Sequence, residues 1–155
     1  AGCVATGALV HKNVLEWGFI TDCGLCIFNS QAKLKFITPF ETPNPKIDEI
    51  AKKQNKTWSN PEWRARVRSF YRNNPKEPLA YGALTGENTA LGYVRTGRIK
   101  IEGGDYLLVY SDGALPIISS DTFNIKANFN NLRELFEKNK ENLGGSEATL
   151  VAVKF

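Results

Sequence analysis

Five consecutive apolar residues, Tyr106-Leu107-Leu108-Val109-Tyr110, stand between Gly103-Gly104-Asp105 and Ser111-Asp112-Gly113. Bounded by turn residues on both sides, the run is too short for a buried helix and far below the about 18 to 20 residues of a spanning one. It reads as a strand covered on both faces, and so predicts a sheet with material packed above and below it. The rest of the chain must supply that cover. With 155 residues, 42% apolar and 23% charged, it is long enough for one domain and is not disordered in composition.

No apolar run reaches spanning length, and the N-terminus lacks a basic region followed by an apolar stretch, so no membrane partner is expected. The net charge of +4 fits acidic or phosphorylated partners but does not single out nucleic acid. Three cysteines, Cys3, Cys23 and Cys26, are an odd number without the density of a disulfide scaffold, which points to a reducing compartment, the cytoplasm. Cys23-x-x-Cys26 has the spacing of half a zinc site, but only Cys3 and His11 could complete it, and structural cysteines are the simpler reading. Methionine is absent and the first residues already read as strand, so the chain is expected to begin inside a longer sequence.

Along the chain, VATGALVH, VLEWGFIT, LCIF and KLKFIT are short β-rich runs separated by turn residues, a pattern that predicts an antiparallel meander. Pro39, Pro43 and Pro45 then force a loop. A polar helix is expected over residues 46–55. Asn60-Pro61-Glu62 begins a second helix, with a capping side chain, proline at the first helical position and an acid in the first turn. On this helix Trp63, Val67 and Phe70 form an apolar stripe, and Arg64, Arg68 and Arg72 a neighbouring basic one. Strand periodicity returns from Gly92. A helix is expected within residues 130–142, ended by Gly144-Gly145, and ATLVAVKF closes the chain as a strand. The expected class is α+β, with a largely antiparallel sheet and helices packed on a face.

The chemistry concentrates at the end of the buried strand. Asp112 is delivered there rigidly, and a strand-end carboxylate suits a hard divalent cation, with Gly113 allowing close backbone approach. The plain alternative is that Asp112-Gly113 only turns the chain. Arg64, Arg68 and Arg72, with Arg66 nearby, could bind phosphate through their guanidinium groups, or could form a solvated helix face. Four arginines on one helix without an aromatic platform give thin support to a nucleic-acid module. Residues 81–87 (YGALTGE) lack the Lys-Ser/Thr ending of a phosphate loop and read as a connecting loop at the edge of the site.

GDYLLVYSDGA resembles the strand and Asp-Gly turn of the metal-dependent protein phosphatase family, the phosphatase 2C group and its bacterial sigma-regulator relatives. Three other segments follow in matching order. The stretch from Gly2 to Asn29 is similar to the paired strands leading to the family's Gly-Asp-Ser-Arg motif, with Thr21-Asp22-Cys23-Gly24 in its place and only the Asp kept. KLKFIT is similar to the strand before the variable helical region, and GGSEATLVAVKF to the closing strand with its Asp-Asp/Asn-x-Thr motif. The resemblance implies a β-sandwich flanked by helices, here without its N-terminal strands, with the variable helical region at about residues 39–91 of one partial domain over 1–155. It implies hydrolysis of phosphoserine and phosphothreonine with Mg²⁺ or Mn²⁺ at a two-metal site, with Asp112 as catalytic and metal-binding residue and Gly113 supporting it.

The closing motif departs from the family. Ser146 stands where the family has a metal-ligand Asp; Glu147 is adjacent, but consecutive strand residues point to opposite faces, so it substitutes only if Gly144-Gly145 allows a twist or bulge. The family's N-terminal acidic motifs are not found in the 155 residues, and two explanations stay open: they lie upstream in a longer protein, or the domain is a pseudophosphatase acting as a regulatory binding module. On either, the chain by itself is expected to be inactive. Its expected partners are a phosphorylated protein substrate and, at its unfilled sheet edges, its own N-terminal segment or a second copy.

Overall fold

The computed structural model describes residues 2–41, 45–142 and 148–155. Seven strands form two antiparallel sheets among the described residues. β1 (Ala5–His11), β2 (Val14–Ile20) and β5 (Arg95–Lys100) make one sheet, in the order β1-β2-β5. The other sheet has the order β4-β3-β6-β7, built from β3 (Gly24–Phe28), β4 (Leu34–Ile37), β6 (Tyr106–Tyr110) and β7 (Leu150–Lys154). The expected meander is therefore interrupted. β2 and β3 follow each other in the chain but belong to different sheets, because Thr21 takes a left-handed backbone (φ 71°) and turns the chain across the sandwich.

The period-2 alternation of the strands divides the core into two layers. Leu25 and Ile27 of β3 and Leu107 of β6 pack with Leu15 of β2 and with Ile101 between the sheets, where Trp17 meets Phe36 at 5.4 Å between rings. Cys26 and Phe28 of β3 and Tyr106, Leu108 and Tyr110 of β6 face the opposite way. There they meet Ala114, Ile118 and Ile125 from the short helices α3 (Leu115–Ile118) and α4 (Ile125–Asn128), with Leu132 and Phe136 of α5 (Leu132–Lys138) at the margin. β6 lies between β3 and β7, and is covered on both faces as its continuous apolar run requires. A buried acid with an exposed partner secures its entry: Lys35 Nζ donates to Asp105 Oδ2 at 2.8 Å, which also accepts from Glu102 N.

Between β4 and β5 stand two helices with a core of their own. α1 (Pro45–Lys53) contributes Ile47 and Ala51, and α2 (Pro61–Phe70) contributes Trp63 and Val67. Asn60 caps α2 as expected, its Oδ1 accepting from Trp63 N at 2.9 Å. Phe70, expected on the apolar stripe, is half exposed and packs edge-on against Tyr71 at 5.0 Å, because the helix ends there and its last turn projects beyond the small core. The strand expected from Gly92 begins at Arg95, after a 3₁₀ turn over Asn88–Tyr93. No helix among the described residues is long and apolar enough to cross a membrane.

Candidate active site

The pairing of β3 with β6 brings two acids together. These strands are antiparallel, with Gly24 opposite Tyr110. Asp22, two residues before Gly24, and Asp112, two residues after Tyr110, therefore emerge at the same end of the sheet. Gly24 is required at this crossing: a Cβ there would lie 2.2 Å from Thr38 Oγ1 and 3.0 Å from the Tyr110 hydroxyl. Thr21, just before Asp22, donates its hydroxyl to Gly82 O, which ties the turn to the loop over residues 81–87.

Asp112 opens a 3₁₀ turn over Asp112–Ala114, and its Oδ1 accepts from Gly113 N at 2.9 Å. Asp112 is exposed, and Gly113 and Ala114 beneath it are buried. The strand end is also tied to the closing segment: Ser111 N donates to Thr149 O at 3.0 Å, and Thr149 N to Ser111 Oγ at 2.9 Å. Ser146 and Glu147 lie outside the described residues.

Burial holds the Asp22 carboxyl above its ordinary range, and the charge of Asp112 pushes it further up. Two like charges side by side at one end of a sheet are stabilised by a cation between them. A hard divalent ion such as Mg²⁺ or Mn²⁺ fits them, because it binds through one or two carboxylates and keeps several waters. Among the described residues no group of three or more His, Cys, Asp or Glu side chains is placed to hold a metal.

Asp22 and Asp112 line an open cleft of about 850 Å³ together with Arg68, Arg72, Trp58, Tyr81, Ala83 and residues 2–4. Burial raises the Tyr81 phenol, with Arg72 and Arg68 lowering it and Asp22 raising it. Arg64 is exposed and does not line the cleft. Two contributors went unread in the sequence as site residues. In the sequence Asp22 is only the kept Asp of a divergent motif, and its pairing with Asp112 follows from strand register. Asn73 has a buried amide that fastens α2 to the 81–87 loop: Nδ2 donates to Ala83 O at 2.8 Å and Thr85 Oγ1 at 2.9 Å, while Oδ1 accepts from Ala83 N at 2.9 Å.

The same arrangement of sheets and helices occurs in known phosphatases. The chain superposes on the Mycobacterium tuberculosis serine/threonine phosphatase PstP with a TM-score of 0.59 and 20% identity, covering 98% of this chain and 59% of that one. The chain has a phosphatase 2C-like fold. The Streptococcus agalactiae serine/threonine phosphatase matches with a TM-score of 0.54 and 17% identity, over 97% of this chain and 57% of the other. A structure of the PstP catalytic domain with two manganese ions matches with a TM-score of 0.50 and 20% identity, over 97% and 58%. The chain thus spans somewhat more than half the length of these phosphatases. No family model and no curated protein sequence matches it.

Proposed function

We propose that this chain is the larger, C-terminal part of a metal-dependent protein serine/threonine phosphatase domain, with residues 39–91 as its variable helical region. The observation that carries the reading is the convergence of Asp22 and Asp112 on one cleft at the end of a sheet whose fold is shared with serine/threonine phosphatases. Bound Mg²⁺ or Mn²⁺ would supply charge neutralisation of the phosphate and a more acidic water. Asp112, fixed by the β6 end and its bond to Gly113 N, presents its carboxylate to the open side of the cleft. Asp22, half-buried, supplies the second oxygen donor from the opposite strand. The substrate class is a phosphorylated serine or threonine side chain on a protein, and the three free cysteines fit a reducing, cytoplasmic setting. Ser146 and, where Gly144-Gly145 allows a twist or bulge, Glu147 are the further candidate ligands from the closing segment, Ser146 offering a neutral hydroxyl in place of a carboxylate.

Calorimetric titration of the chain with Mn²⁺, beside Asp112→Ala and Asp22→Ala, tests this. Loss of one carboxylate from a hard-cation site should weaken binding about tenfold or more. Equal Mn²⁺ affinity in all three proteins, or none in the wild type, would instead support a pseudophosphatase that binds partners without metal chemistry. Hydrolysis of a phosphothreonine peptide, measured on the longest natural chain that contains these residues, then reports turnover.

A further inference from the structure

The basic wall of the cleft has charge that nothing described in the fold neutralises. Arg68 stands in the last turn of α2 and Arg72 two residues past its end. They line the same cleft as Asp22 and Asp112. Yet among the described residues neither guanidinium lies within ion-pairing distance of a carboxylate, although other surface arginines do find one: Arg95 holds Glu41 at 2.9 Å and Arg98 holds Glu16 at 2.8 Å. The two walls therefore stand apart with opposite charge facing the gap.

The backbone under this wall is firmly held. Trp63 and Val67 anchor α2 on its other face, 3% and 0% exposed. Just beyond the helix, Arg72 precedes Asn73, which takes a left-handed backbone (φ 52°) and spends its side chain on the 81–87 loop. The main chain there is stitched to Tyr81: Asn73 N donates to Tyr81 O at 2.9 Å, and Tyr81 N to Tyr71 O at 3.3 Å. Trp58, on the same side, is held by its Nε1 donating to Asp48 Oδ1 at 2.6 Å. A solvated helix face needs no such bracing at the point where its charges converge.

We propose that Arg68 and Arg72 bind the phosphate of the phosphorylated side chain, as specificity-determining residues contributed by the helical insertion. The proposal rests on the phosphatase reading of the cleft. Guanidinium groups match a tetrahedral phosphate dianion with paired N–H donors, and two of them favour a dianion over a singly charged carboxylate. The carboxylates opposite repel a bare anion on their own side, so the phosphate is held with one edge toward α2 and its reacting face toward Asp22 and Asp112. Arg64 has the same chemistry on the same helix but stands outside the cleft, and serves as an internal control.

The test is titration of the chain, with Mn²⁺ present and absent, with a peptide of neutral sequence carrying a non-hydrolysable phosphonate analogue of phosphoserine. Arg68→Ala and Arg72→Ala should each weaken binding about tenfold, as expected for loss of a charge-assisted hydrogen-bonding partner. Arg→Lys at either position should recover part of the loss, Arg64→Ala should bind as the wild type does, and the unmodified serine peptide should not compete. Mn²⁺ affinity should be the same in all the arginine variants. Wild-type affinity in Arg68→Ala and Arg72→Ala, an equal loss in Arg64→Ala, or no binding by the wild type would overturn the proposal. Failure of the phosphatase reading is seen separately, as absent Mn²⁺ binding or indifference of that binding to Asp112→Ala.

Discussion

The two walls of the cleft are built by different means. On the sheet side, β3 and β6 are buried on both faces, and Asp22 and Asp112 are placed by hydrogen-bond register between strands whose paired residues are 78 or more apart in sequence. On the helical side, α2 buries only Trp63 and Val67, and Arg68 and Arg72 are placed by helix geometry and by the Asn73 clamp. One wall depends on the global fold; the other depends on a satellite core that can loosen while the sheets persist. The proposed metal site would then stand on the wall that the global fold fixes, and the proposed phosphate contacts on the wall that the smaller helical core and the Asn73 bonds fix.

Leu108→Ala would strike the rigid wall hardest. Leu108 is fully buried beneath α3 and α4, and its truncation should cost about 3–4 kcal/mol, lowering the stability of the whole chain in denaturant titration. Val67→Ala, in the satellite core, should cost about 2 kcal/mol and be felt locally. Hydrogen exchange should then show faster exchange in α1, α2 and the 81–87 loop, with β3 and β6 protected as before. Uniform loss of protection in both variants would remove the distinction between the walls. Asn73→Ala leaves the buried Ala83 carbonyl and amide without their partner, and should cost about 1–2 kcal/mol. Its signature would be weaker phosphopeptide binding at unchanged Mn²⁺ affinity, since it frees Arg72 without touching the acids.

Much of this fold is legible in the sequence. Strand boundaries followed from alternation and turn residues, the central place of β6 from its unbroken apolar run, and the start of α2 from Asn60-Pro61-Glu62, all signals carried by neighbouring residues. The sheet switch after β2 is not, because Thr21-Asp22-Cys23-Gly24 reads as an ordinary hairpin turn until the far partner of Gly24 is known. Asp22 was overlooked as a site residue for the same reason. The arginine stripe was legible only in part. The spacing reads as one helix from Arg64 to Arg72, but α2 ends at Phe70 and Arg72 lies past its C-cap, bridged to Tyr81; of the three only Arg68 and Arg72 line the cleft.

The smallest expected effect is also the most direct report on the central juxtaposition. Asp22 titrates above its ordinary value of 3.8, first because it is buried and then because Asp112 is near. Between the ordinary value and the raised one the folded chain binds more protons than the unfolded chain, so stability falls as pH rises through that window. Carbon-13 NMR titration of the Asp22 carboxyl in the wild type and in Asp112→Asn measures this at the atom concerned. The two acids sharing one cleft predict a raised midpoint in the wild type that moves down in Asp112→Asn, remaining above the ordinary value because burial persists. A midpoint at the ordinary value, or one indifferent to Asp112→Asn, would contradict the site.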